Sequence, residues 1–286
     1  LEFRRVLFRS FQELWKVNDF MKSITMSIVT CTFNSEKYLK NALKSVESQT
    51  YQPIEHIIND AYSTDSTLEI IQEYIERNKN RYSIKFIQSE PKGVGNALNV
   101  ATKEATGEII HYLHSDDYYL NQDSLEKVAE IFKNRPDLVW LTGNFLIEFA
   151  GRKLVIPQTH LLRMNPEIAL SVMNFISHEN TFVKRDFVQK YGGFNEGKNE
   201  VVEYSLWLNM LKDYRPLIID DEYTVFIIHK GSTSTGSFLK FSKAVMRAFN
   251  TQRKEKVFPL IGCYADNSFY NRWKLLMKKT IKSFPS

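Results

Sequence analysis

From Met26 to about residue 150, short apolar runs alternate with segments whose apolar residues recur every three or four positions. The short runs are rich in β-branched and aromatic residues, which favours buried strands, whereas the longer spacing is that of amphipathic helices. Strands separated by helices of this length pair in parallel through right-handed crossovers, so the pattern predicts a doubly wound α/β sheet. The predicted strands are 27–33, 55–60, 83–89 and 108–114, and the predicted helices are 36–49, 63–78, 93–105 and 122–134.

After about residue 155 the alternation weakens, and strand, helix and loop patterns follow in a less regular order. The apolar run before Gly151 predicts a strand that turns back there in a hairpin. The remaining predictions are a strand over 137–149, helix and loop over 158–190, a Gly-Gly turn and helix over 191–212, and a last strand over 217–229.

The two ends of the chain differ from its middle. The first ten residues, LEFRRVLFRS, look like the translation of an adapter oligonucleotide, so 1–25 is expected to be an artefact with a disordered lead-in. From residue 240 the chain is basic, with apolar residues at helical spacing. The predicted organisation is a domain over 26–235 followed by a basic helical C-terminal extension over 236–286.

Composition is that of an ordinary globular protein, with 43% hydrophobic and 25% charged residues in a chain of 286. Cys31 and Cys263 lie far apart without CxxC spacing, which favours reduced thiols in a cytoplasmic protein over a disulfide or a metal site. The formal net charge of +5 falls by two when the three arginines and one glutamate of the first ten residues are left out. A charge this modest, concentrated in the tail, argues against nucleic-acid binding. No stretch approaches the roughly 20 apolar residues of a membrane-spanning helix.

Polar residues follow three of the predicted strands. Thr32 and Asn34 come after the first strand, Asp60 after the second, and Asp116 and Asp117 after the fourth. In doubly wound sheets ligands bind beyond the carboxyl ends of the strands, so these side chains are expected to face one crevice. Each also has a local explanation, as a helix cap, an Asx turn or a surface turn. Two adjacent carboxylates after a buried strand are costly unless a positive partner lies beside them.

Ordered motifs extend this interpretation. The stretches SIVTCTFNSEKYLKNALKSVESQTYQPIEHIINDAYSTDSTLEII, EPKGVGNALNVATKEATGEIIHYLHSDDYY, ISHENTFVKRDFVQKYGGFNE and EYSLWLNML follow one another over roughly residues 26–230. In this order they resemble the family-2 glycosyltransferases, most closely the bacterial branch that builds surface polysaccharides. The resemblance implies a GT-A fold, which is a Rossmann-like, mostly parallel α/β sheet flanked by helices. It also implies an inverting, metal-dependent enzyme that moves one sugar from a nucleotide-diphosphate donor, expected to be a UDP-sugar, to a hydroxyl acceptor.

The resemblance assigns the aspartate pair to a cation site. Asp117 is expected to ligate Mg²⁺ or Mn²⁺ bridging the donor's phosphates, while Asp116 contacts the ribose or the waters of the metal. Hard cations keep several waters, so one or two carboxylates plus phosphate oxygens suffice as ligands. Such an ion would offset the paired negative charges and stabilise the departing diphosphate.

Further positions are expected to bind the nucleotide sugar. By resemblance, Asp60 hydrogen-bonds the donor base, and the loop after the first strand contacts the nucleotide. Lys92 and Asn96 adjoin the N-terminus of the third helix, where phosphate charge is favoured, although Lys-Gly is also a common loop pair. The full set of expected donor-binding residues is Thr32, Asn34, Glu36, Asp60, Lys92, Asn96, Asp116 and His178.

Glu203 is the expected catalytic base, because it stands where the family has an aspartate in its Glu-Asp-Tyr motif. The alternative is a glutamate favoured in a helix's first turn by the helix dipole, and Glu200 is the fallback for the base. By resemblance, His178 matches a segment near donor phosphate or acceptor, although a lone histidine is more often structural. His229 is a weaker candidate.

Two departures from the family pattern leave a second function class open. Ala61 and Tyr62 stand where the family has glycines that permit positive φ, and Glu203 replaces an aspartate. A nucleotide-sugar-binding protein with a decayed catalytic site is therefore the alternative. A nucleotide-sugar pyrophosphorylase would carry an early glycine-rich basic loop, and none follows the first strand.

The expected partners are a nucleotide-sugar donor and a sugar or lipid-linked sugar acceptor. The basic tail is either a solvated helix face or a peripheral contact with the inner face of the cell membrane, where a lipid-linked acceptor would lie.

Overall fold

Strands and helices alternate along the chain from residue 26. The computed structural model describes residues 23–149, 151–157, 159–172, 174–197 and 201–229. Its strands are β1 (Met26–Thr32), β2 (Ile54–Asp60), β3 (Ser83–Gln88), β4 (Ile109–Tyr112), β5 (Tyr118–Tyr119), β6 (Trp140–Thr142), β7 (Phe145–Phe149), β8 (Arg152–Ile156), β9 (Thr181–Lys184), β10 (Leu217–Ile218) and β11 (Thr224–Ile228). Its helices are α1 (Leu39–Glu47), α2 (Thr67–Asn78), α3 (Val94–Glu104), α4 (Ser124–Asn134), α5 (Thr159–Met164), α6 (Pro166–Val172), α7 (Arg185–Lys190) and α8 (Tyr204–Leu211), with a 3-10 turn at His178–Asn180.

The larger sheet has seven strands in the order β10-β6-β9-β4-β1-β2-β3. β1 pairs in parallel with β2 and β4, and the β2–β3 and β6–β10 pairs are also parallel. Only β9 runs antiparallel, between β4 and β6. The predicted mostly parallel α/β sheet flanked by helices is confirmed.

Two neighbouring residues of β1 show why helices cover both faces of this sheet. Ile28 belongs to one buried apolar cluster and Val29 to another, because successive side chains of a strand point to opposite faces. α1 covers the first face with Leu39 and Leu43, and α3 covers the second with Leu98. Full burial of one such side chain stabilises the fold by about 1.5–3 kcal/mol, so each helix packs its apolar face against the sheet.

A second sheet of four strands, in the order β5-β11-β7-β8, lies beyond the carboxyl end of β4. β11 is antiparallel to β5 and parallel to β7. β7 and β8 form the predicted hairpin, whose turn contains Gly151 at a φ of +74°, a conformation that glycine adopts without steric cost.

Three predictions for the later part of the chain were wrong in detail. The single strand expected over 137–149 is two strands in different sheets, β6 and β7, because the chain turns at Gly143. The single strand expected over 217–229 is likewise divided into β10 and β11. β9 occupies a segment predicted as helix and loop. Its residues Thr181, Phe182 and Val183 are all buried, so they lack the polar alternation that identifies a strand with one exposed face.

The predicted artefact over 1–25 and the basic helical extension over 236–286 lie almost wholly outside the described residues and stay predictions. Within the part of the chain that the structure describes, no helix has both the length and the apolar character needed to cross a membrane.

Candidate functional site

A crevice of about 530 Å³ opens at the carboxyl ends of β1 and β4. The loop after β1 forms one wall, the loop after β4 forms the floor, and the end of β11 closes the far side. The residues that line it are Cys31, Phe33, Asn34, Ser35, Lys37, Tyr38, Val94, His114, Ser115, Asp116, Glu179, Phe226 and His229. A ligand site at this edge of the sheet is what a parallel α/β topology predicts.

Asp116 is the acidic residue of the aspartate pair that faces the crevice. The backbone N–H of Asp117 donates to the His114 carbonyl at 3.1 Å, which closes a tight turn and points Asp116 toward the opening. His229 Nε2 lies 2.9 Å from Asp116 Oδ2, and the His229 ring stacks on Tyr38 with centroids 4.1 Å apart. A carboxylate from the β4 loop and an imidazole from the end of β11 therefore meet where the floor of the crevice joins its far side.

Asp117 is fully buried beneath that floor. Its Oδ1 accepts a hydrogen bond from the Ile227 backbone N–H at 3.0 Å, whereas its Oδ2 has no partner among the described residues. Burial, followed by the nearby charges of Glu179 and Asp116, raises the pKa of Asp117 well above its usual value. The expected roles of the pair as metal ligand and ribose contact stay predictions, but only Asp116 reaches the crevice directly.

Glu179 lines the crevice and was not identified from the sequence. It belongs to the 3-10 turn before β9, and Ser177 Oγ donates to its Oε2 at 3.2 Å. Burial raises the pKa of Glu179, while the nearby His114 favours its charged form. The backbone carbonyl of Glu179 accepts from His111 Nε2 at 2.8 Å and from Thr224 Oγ1 at 2.6 Å. The local sequence, SHEN, indicates only a loop. The position of Glu179 in the crevice becomes apparent only from the folded structure.

Glu203 lies partly buried at the N-terminus of α8, outside the crevice lining. Asn174 Nδ2 donates to its Oε1 at 3.0 Å. Burial raises the pKa of Glu203 to about 7, and the charge of Glu179 adds to this effect. Glu179 lines the crevice, and its charge acts against ionisation of Glu203.

Thr32 and Asp60 are buried together rather than exposed to the crevice. The Asp60 carboxylate accepts hydrogen bonds from Thr32 Oγ1 at 2.8 Å, from Ser63 Oγ at 2.5 Å and from the Ser63 backbone N–H at 2.8 Å. Gln88 Nε2 adds a fourth contact at 3.3 Å. This network is the Asx-type turn that the local interpretation predicts, and it occupies the carboxylate oxygens.

Asn34 and Glu36 join the loop after β1 to the loop after β2. Asn34, at a φ of +49°, lines the crevice, and its Oδ1 accepts from the Thr64 backbone N–H at 2.9 Å. Glu36 accepts from the Ser66 backbone N–H at 3.0 Å near the start of α2. Of these two predicted donor contacts, only Asn34 reaches the crevice.

Lys92 and Asn96 also lie outside the crevice lining, where the only residue from this region is Val94. Lys92 is exposed in the loop before α3. Asn96 Nδ2 donates to Glu196 at 3.0 Å, so its amide helps to hold the loop that precedes α8.

His178 lies behind the floor, with 6% of its surface exposed. Its ring stacks on His114 with centroids 4.9 Å apart, and neither ring nitrogen has a hydrogen-bond partner within the described structure. Burial, together with His114 and His111, lowers the pKa of His178 well below its usual value, so the ring is neutral at pH 7. His178 therefore supports His114 by stacking and does not itself line the crevice.

The residues on the crevice floor are compatible with Mg²⁺ or Mn²⁺, although they do not form a complete metal centre. Among the described residues, no group of three or more His, Cys, Asp or Glu side chains is arranged to hold a metal ion. However, Asp116 supplies an accessible carboxylate, and beneath it Asp117 places a buried carboxyl oxygen that has no hydrogen-bond partner among the described residues. One or two carboxylates are enough for these cations when phosphates and waters complete the shell.

Comparison with known proteins places these features in a family context. The model described as "Glycosyl transferase family 2" matches residues 27–191. Poly(ribitol-phosphate) beta-N-acetylglucosaminyltransferase TarS of Staphylococcus aureus is 32% identical over 146 residues, which are 50% of this chain and 24% of TarS. An uncharacterized glycosyltransferase of Haemophilus influenzae is 29% identical over 251 residues, 85% of this chain and 96% of that protein. GalNAc(5)-diNAcBac-PP-undecaprenol beta-1,3-glucosyltransferase of Campylobacter jejuni is 25% identical over 222 residues, 73% of this chain and 67% of that protein.

Two solved structures share the fold. S. aureus TarS 1–349 in complex with UDP-GlcNAc has a TM-score of 0.61 at 21% identity, over 80% of this chain and 70% of that chain. Mannosyltransferase PcManGT from Pyrobaculum calidifontis in complex with GDP-Man and Mn²⁺ has a TM-score of 0.63 at 17% identity, over 82% and 66%. The chain spans about a quarter of full-length TarS, so these likenesses concern the arrangement of strands and helices rather than a whole activity.

Proposed function

The chain belongs to glycosyl transferase family 2 and has its GT-A fold, and we propose that it transfers one sugar from a nucleotide-diphosphate donor to a hydroxyl acceptor. The observation that carries this proposal is the crevice beyond β1 and β4, where Asp116, Glu179, His114 and His229 gather on one floor. The complexes of TarS with UDP-GlcNAc and of PcManGT with GDP-Man support a nucleotide-diphosphate sugar as donor. A UDP-sugar is the donor to test first.

Asp116 and His229 would hold the cation in this proposal. Their Oδ2 and Nε2 atoms are 2.9 Å apart and both side chains line the crevice, so an ion there would replace the contact between them. Asp117 would hold the turn from below, since its side chain is buried and accepts a hydrogen bond from the Ile227 backbone N–H. When bound, Mg²⁺ or Mn²⁺ supplies positive charge that stabilises the departing diphosphate.

Glu203 would accept the proton of the acceptor hydroxyl as that oxygen attacks the anomeric carbon. A base with a pKa of about 7 is both ionised and still basic at neutral pH, which suits this task. Asn174 donates to Oε1 of Glu203 and so would orient the carboxylate. General-base help is typically worth about 10²- to 10⁴-fold in rate. Attack from the side opposite the phosphate would invert the anomeric configuration.

The other predicted donor residues receive more limited roles. Asn34 would contact the donor directly, since it lines the crevice. Thr32, Asp60 and Glu36 would hold the loops that position Asn34, because their hydrogen bonds are made within those loops. For Lys92, Asn96 and His178, donor contact stays a prediction.

The names of two relatives support a proposal for the acceptor and the cellular setting. The Campylobacter protein is named for an undecaprenol-linked sugar and TarS for a poly(ribitol phosphate). We therefore propose an acceptor sugar, free or lipid-linked, in the synthesis of a bacterial cell-surface polysaccharide or glycolipid. A cytoplasmic location, at the inner face of the membrane when the acceptor is lipid-linked, belongs to the same proposal.

Calorimetry with UDP, with and without Mn²⁺, combined with a transfer assay over a set of nucleotide sugars, tests this function. Asp116→Ala should lose metal-dependent UDP binding. Asp117→Asn keeps an acceptor for the Ile227 N–H and should retain that binding. Glu203→Gln should bind UDP and Mn²⁺ like the wild type and lose transfer by about 10²-fold or more. If Asp117→Asn lost metal-dependent UDP binding and Asp116→Ala retained it, Asp117 would be the metal ligand instead.

A decayed nucleotide-sugar-binding protein is the second candidate. Tyr62, at a φ of +58° and half exposed, stands in the turn where the family has glycine, and this residue favours the alternative. Binding of UDP-sugars without transfer or metal-dependent hydrolysis, over the whole set of donors, would establish that candidate instead.

A further inference from the structure

The β7–β8 hairpin exposes large apolar side chains that the described residues do not cover. Phe149 is 61% exposed, Leu154 58% and Val155 39%. The strand register places Ile147 opposite Leu154, so Leu154 and Phe149 share one face of the hairpin and Val155 lies on the other. β8 is the edge strand of its sheet, and exposed apolar residues on such an edge mark an interaction surface.

Basic residues lie among these apolar side chains. Arg152 and Lys153 begin β8 and are both exposed, and neither forms an ion pair with an acidic residue of the described structure. The acidic neighbour across the hairpin, Glu148, accepts a hydrogen bond from the Tyr118 hydroxyl instead. Lys153 Nζ lies 5.3 Å from the centroid of the Tyr118 ring, so its stem lies along the sheet, and the residue is exposed.

The apolar face of the hairpin continues to the rim of the crevice. Ile147 pairs with Phe226, and Phe149 pairs with Ile228. Phe226 lines the crevice, as does His229, the residue after Ile228. A surface that binds to this face would therefore lie beside the crevice opening.

We propose that the tip of the β7–β8 hairpin, with Phe149, Leu154, Val155, Arg152 and Lys153, docks on an anionic lipid bilayer. Aromatic and aliphatic side chains enter the boundary between headgroups and acyl chains, and basic side chains contact the anionic headgroups. A bilayer accepts apolar side chains on both faces of a hairpin, whereas a protein groove covers one face. A second copy of the chain fits the charge less well, because β8 carries no acidic residue that could pair with Arg152 and Lys153 of the other copy.

Sedimentation with vesicles tests this docking without any assay of sugar transfer. The full-length chain should bind vesicles of equimolar phosphatidylglycerol and phosphatidylcholine and bind pure phosphatidylcholine weakly. Phe149→Ser combined with Leu154→Ser should weaken binding to the anionic vesicles by about tenfold. Arg152→Glu combined with Lys153→Glu should weaken it by at least about 25-fold, which is about fivefold for each of the two positive charges lost, and added salt should reduce that difference.

Two exposed residues far from the hairpin provide matched controls. Phe86→Ser changes an aromatic residue on β3, at the opposite edge of the larger sheet, and Arg135→Glu reverses a charge after α4. Both should bind vesicles like the wild type, and all variants should keep the wild-type UDP affinity as evidence of folding. Equal binding of wild type and hairpin variants would overturn the proposal. So would a concentration-dependent dimer that dissociates in Phe149→Ser, since it would assign this face to a second copy.

Discussion

At the residue scale, the environment of Glu203 determines how activity should depend on pH. Burial raises the pKa of this carboxyl to about 7, and a protonated carboxyl cannot accept the acceptor's proton. The transfer rate at low substrate should therefore rise from pH 6 to pH 8 and level off above the pKa. Measuring kcat/KM for transfer across this range gives the midpoint. A rate that stays level down to pH 5 would contradict the assignment of Glu203 as base.

Two neighbours of Glu203 should move that midpoint in opposite directions. Glu179→Gln removes a negative charge that opposes ionisation of Glu203, so the midpoint should shift to lower pH. Asn174→Leu removes a hydrogen bond that favours the ionised form, so the midpoint should shift to higher pH. A variant that is merely destabilised would lower the rate without moving the midpoint.

The aspartate pair shows which residue roles the sequence can predict. That carboxylates end β4 beside a ligand crevice follows from residue type and topology. Which of two adjacent aspartates faces the crevice depends on one turn, closed by the Asp117 N–H and the His114 carbonyl, and on the distant Ile227 N–H that draws Asp117 inward. Contacts between residues so far apart in the sequence leave no local pattern. Glu179 could not be identified from the sequence for the same reason.

At the element scale, Gly143 separates β6 from β7 and sends them into different sheets. A Cβ at this position would lie 2.3 Å from Asn180 Nδ2 and 2.4 Å from the Asp221 carbonyl. The Asn180 amide donates to the Asn144 and Asp221 carbonyls at 3.0 and 2.8 Å, so these atoms cannot easily move. Gly143→Ala should therefore destabilise the fold by about 1–3 kcal/mol, measured by urea unfolding.

Gly151→Ala is the comparison for that variant, since it is a glycine in an open turn. A Cβ there meets nothing within 4 Å, so only the positive φ of the residue opposes it. Its cost should be about 1 kcal/mol. If Gly143→Ala cost no more than Gly151→Ala, the close approach of Asn180 and Asp221 would not be what divides β6 from β7.

From the sequence, the run WLTGNFLIEF reads as one strand, because apolar periodicity carries no information about a contact 37 residues away.

At the scale of the whole molecule, the crevice lies where the two sheets meet. Its floor comes from the end of β4 in the larger sheet, and its far wall comes from Phe226 and His229 at the end of β11 in the smaller one. The direct link across the floor is the contact between Asp116 and His229, supported by the hydrogen bond from the Ile227 N–H to Asp117. A ligand that binds both the floor and the far wall should therefore stabilise the docking of β11 against the β4 loop.

Hydrogen exchange with UDP and Mn²⁺ tests this coupling between the sheets. The amides of 114–118, on the floor, and of 224–229, on the far wall, should gain protection together at saturating ligand, because opening either segment would first require the ligand to leave. At about 100 times the dissociation constant, the added protection should approach 2.7 kcal/mol, and the amides of β3, at the far edge of the larger sheet, should not change. Asp116→Ala should abolish the gain in protection in both segments. Protection confined to the loop after β1 would mean that the nucleotide binds one sheet alone, and the smaller sheet would then have no part in holding the donor.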